Sequence, residues 1–212
     1  MLIRGCQTGR VYTPSHFAMP DDEAQVILAG ADTADLISLG PDGLVATFLP
    51  VLWEPGDGGL GRLIAHVARN NPHWHAAGDS LAILRGPDQY VSPSFYASKR
   101  EHGRVVPTWN YRTVHVYGEL TVHDDPEWLR SMVTRLTERH EGRRTAPWSV
   151  SDAPESYIDG QLRAIVGLEL AITRVEGKDK LSQNRSAEDQ AGVIAGLGAK
   201  DPVARLMTGA QD

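Results

Sequence analysis

A single cysteine, Cys6, is the chain's whole stock of thiol chemistry, which excludes an internal disulfide and any multi-cysteine metal site. Long apolar runs are missing too. The stretch LVATFLPVLW at 44–53 is about half the ~20 residues that a membrane-spanning helix needs, so no membrane span is expected. The opening MLIRGCQTGRVY lacks an apolar block ahead of a small-residue cleavage site and does not read as a signal peptide, so the expected location is cytoplasmic. Positive charge is in deficit: 21 Lys and Arg stand against 27 Asp and Glu. The formal net charge of −6 has the wrong sign for a general binder of nucleic-acid backbones, and any DNA contact would need a local basic patch. No Gly-rich nucleotide loop is read after a strand, and neither a P-loop nor the GxSxG of a serine hydrolase occurs.

What remains is ordinary globular material. Over 212 residues, 41% are hydrophobic and 23% charged, which suits one folded domain with a real core. The segment DDEAQVILAG at 21–30 reads as a short helix. LISL at 36–39, the turn Gly40 to Gly43 and LVATFLPVLW read as a hairpin. GRLIAHVARNNPHW reads as a strand passing into a helical turn that Pro72 stops. LAILRG, the punctuation Gly86-Pro87-Asp88 and QYVS read as another hairpin. From Val105 to Val122 the pattern alternates, with Val114 and Val116 on one side and Thr113, His115 and Tyr117 on the other, as in a long half-buried strand. Asp125-Pro126-Glu127 caps a helix carrying Trp128, Leu129, Met132, Val133 and Leu136 at helical spacing. Asp152 to Glu155 has capping-box spacing ahead of a short helix with Tyr157, Ile158 and Leu162. IVGLELAITRV then returns to period two, and Ser186 and Asp201 are expected to cap two final helices, the first with Ala191, Ile194 and Leu197 inward. Hairpin-linked strands with few intervening helices give an α+β, mostly β class: an antiparallel barrel with peripheral helices.

Chemistry-bearing side chains gather in four stretches. In GRLIAHVARNNPHW, Arg62, His66, Arg69, Asn70 and Asn71 offer charge-assisted donors suited to a phosphate, against the alternative of a solvated helix face. His73 and His75 have no carboxylate or cysteine partner in that motif, so they read as surface histidines rather than metal ligands. DQYVSPSFYASK brings Tyr90, Phe95 and Tyr96 near Lys99, either as plain turns or as a flat surface for a ring system with an anion contact. VVPTWNYRTVHVYG sets Trp109, Tyr111, His115 and Tyr117 on one parity of a strand, as core, interface or ligand contacts. GKDKLSQNRS packs Lys178, Lys180, Ser182, Gln183, Asn184 and Arg185 into a donor array fit for phosphate, ribityl hydroxyls or ring carbonyls, or into a basic surface loop.

At these stretches the sequence resembles the PaiB-type, FMN-binding negative transcriptional regulator family. VYTPSHF at 11–17, GRLIAHVARNNPHW, GPDQYVSPSFYASK, VVPTWNYRTVHVYG, WSVSDAPESYI and IVGLELAITRVEGKDKLSQNRS carry the resemblance in order over nearly the whole chain. It implies a split antiparallel β-barrel with peripheral α-helices, related to flavin reductases and pyridoxamine-phosphate oxidases. It also implies a homodimer with FMN in clefts at the subunit interface. Residues 1–212 would form one such domain, with 1–10 as an extra N-terminal segment and 186–212 as a C-terminal helical segment. By the same resemblance Arg62, His66, Arg69 and Asn70 lie near the FMN phosphate, and Thr47 reaches the flavin from the preceding strand. Lys99, Trp109 and Asn110 lie at the cleft or interface, while Lys180, Gln183 and Arg185 approach the cofactor from the late loop, across the dimer. Departures are Arg62 and Ala65 in place of smaller residues and Phe95 in place of tryptophan. No catalytic side chain and no metal ligand is implied. The function expected is negative regulation, with a DNA or regulatory partner; the alternative is a flavin-dependent oxidoreductase, in which the cofactor carries the chemistry.

Overall fold

The computed structural model describes residues 11–56 and 59–209, so Cys6 and the extra segment 1–10 lie outside the described residues. The chain divides into two compact units: Asp22–Arg85 with Val114–Val175, and the described parts of Met1–Asp21 and Glu176–Asp212 with Gly86–Thr113. In the described residues the elements run α1 (Asp21–Gly30), β1 (Thr33–Gly40), β2 (Gly43–Pro50), β3 (Leu52–Gly56), β4 (Gly59–Ala68), β5 (Gly78–Val91), α2 (Ser98–His102), β6 (Thr108–His123), α3 (Pro126–Glu141), α4 (Glu155–Arg163), β7 (Ile165–Lys180), α5 (Ala187–Leu197) and α6 (Pro202–Thr208). The strands form one seven-stranded sheet in the order β2-β1-β5-β6-β7-β4-β3, and β5, β6 and β7 contribute residues to both units.

In the larger unit, β1 and β2 pair antiparallel around the two-residue turn Pro41-Asp42, with Gly40 opposite Gly43, as the turn residues predict. β4 pairs with β7 from Arg62–Ala171 to Ala68–Ile165. Alternation sends Leu36, Leu49, Leu63, Ala65, Leu168 and Leu170 inward. The Asp125 carboxylate accepts from Trp128 N at 2.8 Å and Pro126 opens α3, so Leu129, Met132 and Leu136 face Ile64, Ile158 and Leu162 in a second buried cluster. In the smaller unit Val91, Tyr96 and Val193 are buried together, with Phe95, Val105, Leu197 and Met207 packed around them.

Several boundaries differ from expectation, each for a local reason. LVATFLPVLW is two strands: Pro50 has no N–H for a ladder, and Val51 N donates instead to Asp32 O at 3.1 Å. Gly86-Pro87 does not end a strand; β5 runs straight through, because the bare Gly86 lets the Arg112 side chain pass against it. Pro72 starts a 3₁₀ turn, Pro72–His75, rather than stopping one, with Asn71 Oδ1 accepting from His73 N at 2.9 Å. Asp152 caps back onto Ser149 N at 2.7 Å, and α4 begins behind Pro154 without a side-chain cap. On α5 Asp189 and Val193 are buried and Leu197 packs against the Val193 cluster as expected, while Ala191 is exposed. Against the expectation that no Gly-rich nucleotide loop follows a strand, GDGGLG at 56–61 has the spacing of a dinucleotide fingerprint at the end of β3. β3 and β4 pair antiparallel with Gly56 opposite Gly59, so the element after the string is a strand, not a helix whose N-terminus could face a phosphate. Among the described residues, no helix is long and apolar enough to cross a membrane, and no His, Cys, Asp and Glu group could hold a metal ion.

Candidate functional site

Thr47 belongs to a chain of hydrogen bonds in the larger unit centred on His73, which is fully buried rather than on the surface. The direction of each bond follows from counting protons. Ser80 Oγ donates to Gly78 O at 3.0 Å, so the 2.6 Å bond between Ser38 and Ser80 must be donated by Ser38. Ser38 Oγ then accepts from His73 Nε2 at 3.0 Å. The bare Nδ1 accepts from the Thr47 hydroxyl at 2.9 Å, and Thr47 accepts in turn from Asn71 Nδ2 at 3.4 Å. This order requires a neutral imidazole protonated on Nε2, and burial pushes its pKa down in agreement. Strands β1, β2 and β5 and the turn after β4 are thereby tied at one point.

The cations of β4 are already neutralised. Arg62 donates from Nε to Glu54 at 2.9 Å and from Nη1 to Glu169 at 3.2 Å; Arg135 also pairs with Glu54, and His123 Nε2 lies 3.1 Å from Glu169. Just beyond β4, Arg69 clamps Asp124 with both Nη atoms and donates to the carbonyls of Arg163 at 2.9 Å and Ile165 at 3.1 Å. The hydrogen bond to Asp124 raises the Arg69 pKa and lowers that of the carboxylate. A cavity of about 360 Å³ beside this pair is lined by Asp124, Asp159 and Arg163 over Leu129 and Leu162. His66 is half-buried with Nδ1 unbonded, and burial lowers its pKa, while Asn70 is exposed.

The smaller unit holds the remaining predicted residues. Lys99 is exposed and donates to Ser94 Oγ at 3.0 Å; Trp109, 49% exposed, donates from Nε1 to Asp88 at 2.8 Å. Asn110 is fully buried and exchanges hydrogen bonds with Ser182, at 3.0 Å from its amide nitrogen and 3.2 Å to its carbonyl. Lys180 donates to Thr108 Oγ1 and to Trp109 O. Gln183 closes its own loop, accepting from Leu181 N and donating to Asp179 O, both at 2.7 Å. Arg185 lies over the Tyr96 ring, 4.7 Å from its centroid. Thr108, Asn110, Lys180, Ser182, Asn184 and Arg185, with Phe17, line a pocket of about 80 Å³. Among the described residues no carboxylate lines it.

Thus Thr47, Arg62, His66, Arg69 and Asn70 lie in the larger unit, and Lys99, Trp109, Asn110, Lys180, Gln183 and Arg185 in the smaller. Ser38 and Ser80 stand outside the four stretches, and His73 lies within one only as an expected surface histidine. Only the Asn71-Pro72 turn start hinted that His73 would be directed inward.

A family model described as "Putative FMN-binding domain" matches residues 11–174, most of the chain. The Bacillus subtilis protein named protease synthase and sporulation protein PAI 2 is 33% identical over 167 residues, 77% of each chain. The chain belongs to the PaiB-type FMN-binding family. FMN is accordingly its cofactor. An uncharacterised Aspergillus fumigatus protein is 36% identical over 172 residues, 65% of this chain and 66% of that one, so the match spans about two thirds of that relative. Among solved structures, the FAD and heme binding protein from Mycobacterium smegmatis matches with a TM-score of 0.57 at 18% identity, covering 87% of this chain and 81% of that one. That likeness shows the fold: the predicted α+β, mostly β split barrel with peripheral helices.

The residues present fit a phosphorylated flavin. The pocket in the smaller unit offers two cations and several hydroxyl and amide groups with no acid among them. The buried Tyr96 hydroxyl next to it has no hydrogen-bond partner, and burial raises its pKa.

Proposed function

We propose that the chain acts as an FMN-loaded homodimer that regulates negatively through a partner protein, with the flavin reporting redox state. The observation that carries this reading is the match to PAI 2 over 77% of both chains, because that protein's name ties it to protease synthesis and sporulation. Bound FMN supplies electron transfer, while the protein supplies placement and electrostatics. Among the residues named from sequence, Thr47 keeps a free lone pair and His66 a free ring nitrogen, Asn70, Lys99, Trp109 and Gln183 are exposed, and Lys180 and Arg185 are half-buried. These we assign to FMN or its cleft, the late loop acting from a second copy of the chain. Arg62, Arg69 and Asn110 hold their neighbours in place. An apolar row on the edge strand β2 favours the dimer: Leu44 is 80% and Phe48 69% exposed, with Leu39 beside them. The net charge of −6 favours a protein partner over direct contact with DNA.

The test pairs a spectrum with a transcript profile. Purified yellow protein is mixed anaerobically with NADH or NADPH, and cells lacking the gene are compared with cells given it back. The reading expects no bleaching beyond that of free FMN, and transcripts that rise on deletion and fall on restoration. Rapid catalytic bleaching with unchanged transcripts would replace it with a flavin-dependent oxidoreductase.

A further inference from the structure

Charge is distributed unevenly among the arginines and lysines of this chain. On β4 and just after it, Arg62 and Arg69 are saturated by Glu54, Glu169 and Asp124 and by backbone carbonyls. In the smaller unit the balance is opposite. Asp179 is taken up by Arg112; Asp189 accepts from the backbone and hydroxyl of Ser98 at 2.9 and 2.8 Å, while its carboxylate still feels the charge of Arg185 without pairing to it. Lys178, Lys180 and Arg185 have no ion pair at bonding distance among the described residues: Lys178 donates to Tyr12 O, and the Arg185 guanidinium rests on the Tyr96 ring.

We propose that the pocket of Thr108, Asn110, Lys180, Ser182, Asn184 and Arg185 is an oxyanion site that takes a phosphate monoester, the role that spacing suggests for the arginines of the β4 segment. This rests on the FMN-binding reading and deepens it. Three further observations agree. The volume of about 80 Å³ is several times the ~10–15 Å³ that one water needs, room for a phosphate head. Ser182 is the one described non-glycine residue with positive φ, 67°, a conformation that L residues rarely adopt. It sets the Ser182 hydroxyl against Asn110 at the pocket wall. Finally, burial and the neighbouring Lys178 and Arg185 charges lower the Lys180 pKa, a repulsion that a bound dianion relieves. Lys180 has two of its three ammonium hydrogens engaged, by Thr108 and Trp109 O, which leaves one for the ligand.

The phosphate could belong to FMN itself or to a second, phosphorylated ligand, and one set of titrations separates the two. FMN, riboflavin and inorganic phosphate are titrated into wild type, Arg185→Gln and Lys180→Gln, with intrinsic flavin fluorescence and melting temperature as readouts. If the site holds the cofactor's phosphate, wild type prefers FMN to riboflavin by about ten- to a hundredfold, the scale of one charge-assisted hydrogen bond, and both variants lose that preference while still binding riboflavin. If it holds a second ligand's phosphate, FMN and riboflavin bind alike, but inorganic phosphate raises the wild-type melting temperature and not that of either variant. Failure of every flavin to bind would sink the FMN reading, and the phosphate-dependent melting shift would still report on the pocket. Unchanged FMN preference in both variants, with no phosphate-dependent shift in wild type, overturns the proposal.

Discussion

Replacing His73 by leucine tests the buried chain of hydrogen bonds in the larger unit. The substitution keeps most of the volume but removes the acceptor of the Thr47 hydroxyl and the donor to Ser38. An unsatisfied buried polar group costs about 1–3 kcal/mol. Ser38 keeps its bond to Ser80 and half-buried Thr47 can turn toward water, so we expect a loss of roughly 2–4 kcal/mol at pH 8. The pH dependence follows from the same geometry. Burial holds His73 and His66 below the ordinary 6.5 in the folded protein, while the unfolded chain keeps the ordinary value. Below 6.5 the unfolded state therefore binds more protons, so stability is complete above that pH and falls as the pH drops toward the folded-state values. Each histidine contributes a slope of at most about 1.4 kcal/mol per pH unit in that window. The assay is denaturant unfolding between pH 5 and pH 8, on wild type and His73→Leu. Wild type should weaken steadily on acidification and the variant less steeply from a lower start. Nitrogen-15 spectra should show neutral His73 protonated on Nε2. A wild-type curve flat from pH 7 to 5, or a variant loss under about 1 kcal/mol, would refute this ordering of donors and acceptors around the imidazole.

Three further outcomes follow from the packing. Gly167 lies against the Trp128 ring, which stacks on His123 at 4.1 Å, so Gly167→Ala should overpack the site by about 1–3 kcal/mol and alter the tryptophan's near-ultraviolet dichroism. Gly118→Ala meets the backbone of Ala171 on the neighbouring strand, where no rotamer can yield, and should cost at least as much by thermal melting. Phe48→Asp, on the exposed row of β2, should shift the proposed dimer toward monomer in sedimentation without lowering the monomer's melting temperature.

Legibility tracks how local the physics is. The α3 cap at Asp125 and the alternation of Val114 and Val116 depend on near neighbours, and both are read directly from spacing. The strand through Gly86-Pro87 is not, because what holds it extended is Arg112, more than twenty residues away in sequence. His73 reads as exposed for the same reason: Ser38 and Thr47, which satisfy its ring, stand 35 and 26 residues away in sequence. Basic residues of the β4 segment and the late loop look equivalent in sequence. Only the positions of Glu54, Glu169 and Asp124 show which cations are already neutralised.

The most direct measurement is sedimentation velocity of the purified protein followed at both the protein and the visible flavin absorption bands. The account predicts a single boundary at twice the chain mass carrying one FMN per chain. A colourless monomer that takes up no added FMN would contradict it.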